Sequence, residues 1–208
     1  MPLFVVLTLL GAYLRKEGVN LKEIGLFSLI MIPYTWKFVW SPLVDRYNLF
    51  HLGRRRSWML ISQIAVFFSI FLLGQFSPKT SQSVIAVVSV ILSFASATQD
   101  IVIDAYRREI LTDRELGLGT SLFITASRAS SLVPGGLSLV IAQFLSWSDV
   151  FFITAAFMLA ALVVTFFIKE PETINAPRNL RQAIIEPFSE FKDRRGLKSM
   201  FLIILFVF

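Results

Sequence analysis

Residues 36–58, WKFVWSPLVDRYNLFHLGRRRSW, constrain the chain most. An apolar run carrying Lys37 breaks into Asp45 and Arg46, passes an arginine cluster at 54–56, and gives way to apolar sequence again. A soluble core does not alternate in this way. A helix that leaves a bilayer, turns through a short basic loop and re-enters does, because lysine and arginine collect in the short loops on one side of a membrane.

Composition supports a membrane setting. Of 208 residues 55% are hydrophobic and 16% charged, with 21 phenylalanines, and mean hydropathy is +0.70. A helix needs about 20 apolar residues to cross the hydrocarbon core. Four runs meet that length, 24–44, 57–77, 84–106 and 118–144, and a fifth, 150–168, is shorter but wholly apolar. Five such runs leave too little polar sequence to cover a soluble domain. Residues 2–14 would reach only about 20 Å as a helix, and 197–208 is apolar from Met200. The expectation is a chain that begins within a first span and ends within a seventh. No basic stretch precedes Pro2 to suggest a signal peptide.

Arginine and lysine placement sets an expected orientation. Arg46, Arg54, Arg55 and Arg56 fall in 45–56; Arg107, Arg108 and Arg114 in 107–117; and Lys169, Arg178, Arg181, Lys192, Arg194, Arg195 and Lys198 in 169–198. The alternate loops hold only Arg15, Lys16, Lys22 and Lys79. The three basic segments are therefore expected in the cytoplasm, and the net charge of +6 is topological rather than a nucleic-acid surface. With no cysteine and a single histidine, His51, in a loop, neither a disulfide framework nor a metal site is expected. There is also no nucleophile–base pair and no phosphate loop. The chain reads as no enzyme, without cofactor or metal and with no obligatory protein partner evident. Beyond 1–168, residues 169–196 read as a linker: Pro171 and Pro177 mark loop, and Leu180, Ile184, Ile185, Phe188 and Phe191 recur at helical spacing, as in an amphipathic interfacial helix. Residues 197–208 read as the start of the seventh span.

Charges inside spans cost kilocalories unless they meet a partner or a wet cavity. Ser89, Ser93, Ser96, Asp100, Asp104 and Arg107 form one helical stripe; Ser121, Thr125, Arg128, Ser131, Gly135 and Ser138 form another; Tyr34, Lys37, Ser41 and Asp45 a third. Three helices with one polar face each are what a bundle with a polar interior requires. Lys37 and Asp100 each sit about 10 Å from the basic end, so pairing is expected, with snorkelling of Lys37 to the headgroups as the alternative. Asp104 and Arg107, one turn apart, are expected to form an ion pair near the membrane edge. Arg128, about 15 Å deep, is expected to face the cavity or substrate, with helix packing as the alternative.

Ser41-Pro42-Leu43-Val44-Asp45-Arg46 followed by Gly53-Arg54-Arg55 resembles the loop between the second and third helices of the major facilitator superfamily. Ser41 stands where glycine is usual, and Asn48–Leu52 is inserted before Gly53. KFVWSPLVDRY, LGRRRSW, SATQDIVIDAYRREIL and SLVPGGLSL are together similar to AmpG-type muropeptide permeases over essentially the whole chain, the segment from Gln99 to Ala105 most specifically. The resemblance implies an all-α membrane protein, the six-helix N-terminal bundle of a twelve-helix fold with its first and seventh helices truncated. It implies proton-driven import of anhydromuropeptides across the bacterial inner membrane for cell-wall recycling. Its partners would be the bilayer, a muropeptide and protons. Gln99 and Arg128 would bind substrate, Asp100 would carry the proton, and Lys37, Asp45, Asp104 and Arg107 would form gating or structural ion pairs. Arg46, Gly53, Arg54 and Arg55 would be the loop motif. The alternatives are an acetyl-CoA-type transporter of the same superfamily and a truncated, non-transporting membrane protein.

Overall fold

Apolar helices with polar ends dominate the computed structural model, which describes residues 2–171; all the regular structure among them is helical. The interfacial helix expected within 169–196 and the span expected from 197 lie outside the described residues. The chain runs as α1 (2–16), α2 (21–46), α3 (Arg54–Leu73), α4 (Gln82–Ile110), α5 (Leu116–Ile141) and α6 (Trp147–Phe167). The last four are long and apolar enough to cross a membrane. Ser146 sets the start of α6 by accepting from the Asp149 N–H at 3.3 Å, which makes this helix complete rather than short.

The run expected as one span over 24–44 is helical in pieces. Leu21–Leu26, Ile32–Thr35 and Ser41–Arg46 are α-helical, with 3₁₀ turns at Phe27–Met31 and Lys37–Val39 between them. Pro33 and Pro42 have no N–H to continue the ladder. The carbonyl of Phe38, four residues before Pro42, accepts instead from Ser41 Oγ at 3.2 Å. The expected stripe from Tyr34 to Asp45 is thus carried by a segmented helix whose side chains need not keep a 3.6-residue period.

Two further irregularities meet each other. Val5–Leu10 in α1 and Val133–Leu137 in α5 are both π-helical, the second around Pro134. They lie close enough that a Cβ on Gly135 would sit 3.8 Å from Thr8 Oγ1. Below them Leu9, Leu14, Val66, Ile70, Leu73, Ile85, Leu92, Val150 and Phe151 build the core from α1, α3, α4 and α6. In lipid, close packing and polar contacts between helices hold such a core more than water exclusion does. Gly74 lets the end of α3 approach α6, since a Cβ there would fall 2.7 Å from Phe151 Cβ. Buried hydroxyls add interhelical bonds, Ser138 with Thr154 at 2.7 Å and Thr165 Oγ1 to Gln63 Oε1 at 3.0 Å.

The polar stripes have different surroundings. On α4, Ser89, Ser93 and Ser96 are buried against neighbouring helices. On α5, Ser121, Thr125 and Arg128 are exposed, as are Leu118, Leu122 and Leu132 beside them. Only 11% of the α5 span is buried, against 33–56% of the other three. Ser121 and Thr125 meanwhile satisfy their hydroxyls on their own helix, at Gly117 O (3.0 Å) and Ser121 O (2.9 Å).

Candidate functional site

Two polar clusters stand out, one within the span region and one at the basic end. The first is centred on Asp100, half-buried on α4. Its carboxylate accepts from the Tyr34 hydroxyl, which lies 3.4 Å from Ser96 Oγ one turn earlier. Lys37 belongs to the same cluster, but its ammonium lies 5.7 Å from the Tyr34 ring centroid and makes no ion pair among the described residues. Tyr34, not Lys37, is therefore the direct partner of Asp100. Alongside, Trp40 Nε1 donates to Thr98 Oγ1 at 3.1 Å and its ring packs on Phe94, fixing the segmented α2 against α4.

Gln99 and Asp100 open on a cavity of about 370 Å³, lined also by Phe123, Ser127, Ser130 and Phe157. Gln99 is 7% exposed and its Oε1 has no partner among the described residues. An amide oxygen left in that condition retains its full capacity to accept a hydrogen bond. Arg128 is not on this lining; it is exposed on the unpacked face of α5, with no ion pair among the described residues. The two residues expected to bind substrate are therefore not brought together within this chain.

At the basic end, Asp45 and Glu109 bind Arg54 and Arg55. Arg55 donates to Asp45 Oδ1 at 2.7 Å and clasps Glu109 with Nε (3.0 Å to Oε2) and Nη2 (to Oε1). Arg54 reaches Glu109 Oε1 at 2.9 Å and the Asp45 carbonyl at 2.6 Å. The two side chains are 9% and 5% exposed, so they depend on these acceptors rather than on water. Gly53 makes the turn into α3 at φ +102°, a conformation that disfavours any side chain. Immediately after it, the N–H groups of Arg55 and Arg56 donate to the two oxygens of Glu170, at 2.8 and 3.0 Å. Arg56 in turn donates to the Thr165 and Phe166 carbonyls at the end of α6. Each charge thus complements the dipole end it meets, the acid at the start of one helix and the base at the finish of the other. Arg46 stands outside this network, its guanidinium over the Tyr47 ring at 5.3 Å.

Asp104 and Arg107 are 3.1 Å apart, and Arg107 also lies 4.5 Å over the Phe123 ring, joining α4 to α5. Where α5 begins, Thr112 donates its hydroxyl (2.7 Å) and N–H (3.0 Å) to Glu115, holding that carboxyl below the usual carboxylate range.

Sequence reasoning missed Glu109 and Glu170. Both stand among loop charges, where an acid normally reads as solvated. Glu109 carried a signal nonetheless, since it ends the same amphipathic helix that bears Asp100 and Asp104.

Four apolar helices, an embedded carboxylate and an ion cluster clasping helix ends define a polytopic membrane protein of transporter type. The family description Major Facilitator Superfamily matches residues 1–208, and the chain belongs to that family. It is 44% identical over 211 residues to an uncharacterised protein of Haemophilus influenzae, covering 100% of this chain and 50% of that one. It is also 36% identical over 207 residues to the anhydromuropeptide permease of Escherichia coli, covering 99% of this chain and 42% of the relative. The chain spans about half the length of the curated relatives it matches. It is a multi-pass protein of the bacterial inner membrane, and its family is one of transporters rather than enzymes.

Proposed function

We propose that this chain is the N-terminal, six-helix half of a twelve-helix secondary transporter that imports anhydromuropeptides with protons and so feeds cell-wall recycling. In this reading 1–168 is the first transmembrane bundle, 169–196 a cytoplasmic linker, and 197–208 the start of the seventh helix. Residues 45–56 and 107–117 face the cytoplasm with the linker. The observation that carries the reading is the 36% identity, over 99% of the chain, to a protein named anhydromuropeptide permease.

The chemistry agrees with it. Asp100 is a carboxylate inside a span region whose direct partner is a neutral phenol, so it can gain a proton without stranding a paired cation. The exposed, polar α5 face needs a second bundle to pack against, and Arg128 on it would meet a substrate carboxylate held between the halves through two parallel hydrogen bonds. Gln99 would accept a substrate N–H or O–H. The Asp45–Arg55–Glu109–Arg54 cluster and the Asp104–Arg107 pair would latch the cytoplasmic helix ends when that side is closed.

Expressing the complete protein in cells that lack their own muropeptide permease tests this. Restored uptake of a radiolabelled anhydromuropeptide is expected. Uptake of acetyl-CoA instead would move the protein to the other branch of the superfamily, and uptake of neither would refute the transport reading.

A further inference from the structure

Asp100 has two possible hydrogen-bond arrangements within reach, and Tyr34 stands between them. The hydroxyl of Tyr34 donates to Asp100, while Ser96 Oγ, 3.4 Å away on the same face of α4, is the other acceptor available to it. Ser96 is 1% exposed, so water does not compete there. Tyr34 itself sits in the four-residue piece Ile32–Thr35 between two 3₁₀ turns, a place where a helix can shift without breaking a long ladder.

We infer that Tyr34 is a positioning residue for the proton step, a hydroxyl rotor that reports the charge of Asp100 to the α2–α4 contact. This rests on the reading of Asp100 as proton carrier. With Asp100 ionised, Tyr34 donates to the carboxylate and stabilises the charged form. When the carboxylate takes a proton from the cavity, the new O–H donates to Tyr34 Oη, and the tyrosine's own hydrogen turns to Ser96 Oγ. One proton enters and one stays on each oxygen that held it. The phenol never ionises, so no further acid or base is needed.

The remaining groups around Asp100 are few. From α2 come Tyr34 and the Lys37 ammonium, and from α4 itself Asp104, already paired with Arg107. The cavity adds Ser127 and Ser130 from α5, Phe157 and Met158 from α6, and Pro2 of α1. Lys37 is unchanged in every variant below, so it does not distinguish them.

The rotor makes two predictions of opposite sign. Tyr34→Phe removes the donor to the carboxylate, so protonation becomes easier. The acid form loses its acceptor on Tyr34 Oη as well, but the bond to the charged form is the stronger. The pH of half-maximal anhydromuropeptide uptake should then rise by about 1 unit, the difference between a hydrogen bond to a charged group and one to a neutral group. Ser96→Ala removes the acceptor of the protonated arrangement, and in the ionised one only a 3.4 Å contact in which Ser96 would donate to Tyr34 Oη. Loss of the acceptor dominates, so the midpoint should fall, by a few tenths of a unit. A merely structural role for either residue would lower uptake without moving the two midpoints apart. The measurement is uptake of a radiolabelled anhydromuropeptide by the complete protein across external pH, at equal membrane abundance, with Asp100→Asn run beside it. If Asp100→Asn uncouples uptake but both midpoints stay unchanged or shift together, the rotor is wrong and the carrier stands. If Asp100→Asn still accumulates substrate against its gradient, the carrier assignment falls and the rotor with it. Should Tyr34→Phe fail to reach the membrane, the downward shift in Ser96→Ala alone decides.

Discussion

Glu109 is the residue whose loss should most weaken the basic end. Its carboxylate serves Arg54 and Arg55 together, and their side chains are 9% and 5% exposed. In Glu109→Leu, Arg55 keeps Asp45, but Arg54 keeps only the Asp45 carbonyl. Stranding a fully buried charge costs about 3–5 kcal/mol, whereas a surface pair is worth about 1 kcal/mol or less. Glu109 is 27% exposed, which admits some water and places the expected loss between those limits, at about 2–3 kcal/mol. Arg55→Met should cost less, about 1–2 kcal/mol, because Glu109 retains Arg54 and Asp45 is 38% exposed. The double variant should then fall short of the sum by about 1 kcal/mol, since the Arg55–Glu109 contact is lost in both single changes and so is counted twice in their sum. Equilibrium unfolding of the purified complete protein in mixed micelles measures all three. Additivity within about 0.5 kcal/mol would show that these groups do not act as one network.

Three further outcomes are expected. Gly53→Ala should destabilise by roughly 1–3 kcal/mol, because it forces a side chain into a left-handed turn against Glu170; unfolding in the same micelles reads it. Arg128→Lys should reduce uptake and Arg128→Gln nearly abolish it at equal abundance, since lysine keeps the charge but not the two-pronged geometry; full uptake by Arg128→Gln would remove it from the site. Cysteines placed at Asn48 and Leu116 should label with a membrane-impermeant reagent only from the cytoplasmic side, and one at Lys79 only from outside, while reversed labelling would invert the topology.

How much the sequence disclosed depended on the range of each interaction. The spans of α3, α4 and α6 were legible to within a few residues because apolar length alone sets them. Asp104 and Arg107 are three residues apart on one helix, so their proximity could be read from spacing. Tyr34 and Asp100 are 66 residues apart, and a tyrosine in an apolar run looks like packing, so charge matching led to Lys37 instead. The clamp of Glu170 on the start of α3 spans 115 residues and uses backbone donors, which no side-chain pattern displays. Periodicity placed the α4 and α5 stripes alike; which of them is buried is a matter of tertiary packing. The breaks in α2 could have been anticipated from Pro33 and Pro42, although proline is tolerated in many membrane helices.

Accumulation of a radiolabelled anhydromuropeptide in right-side-out vesicles, driven by an imposed proton gradient, tests the central claim most directly. The wild-type complete protein should concentrate the label and lose it when a protonophore is added. Asp100→Asn should exchange label across the membrane without concentrating it, because a side chain that cannot lose or gain a proton cannot tie the two fluxes together. Accumulation that ignores the gradient, or that survives Asp100→Asn undiminished, would contradict the account.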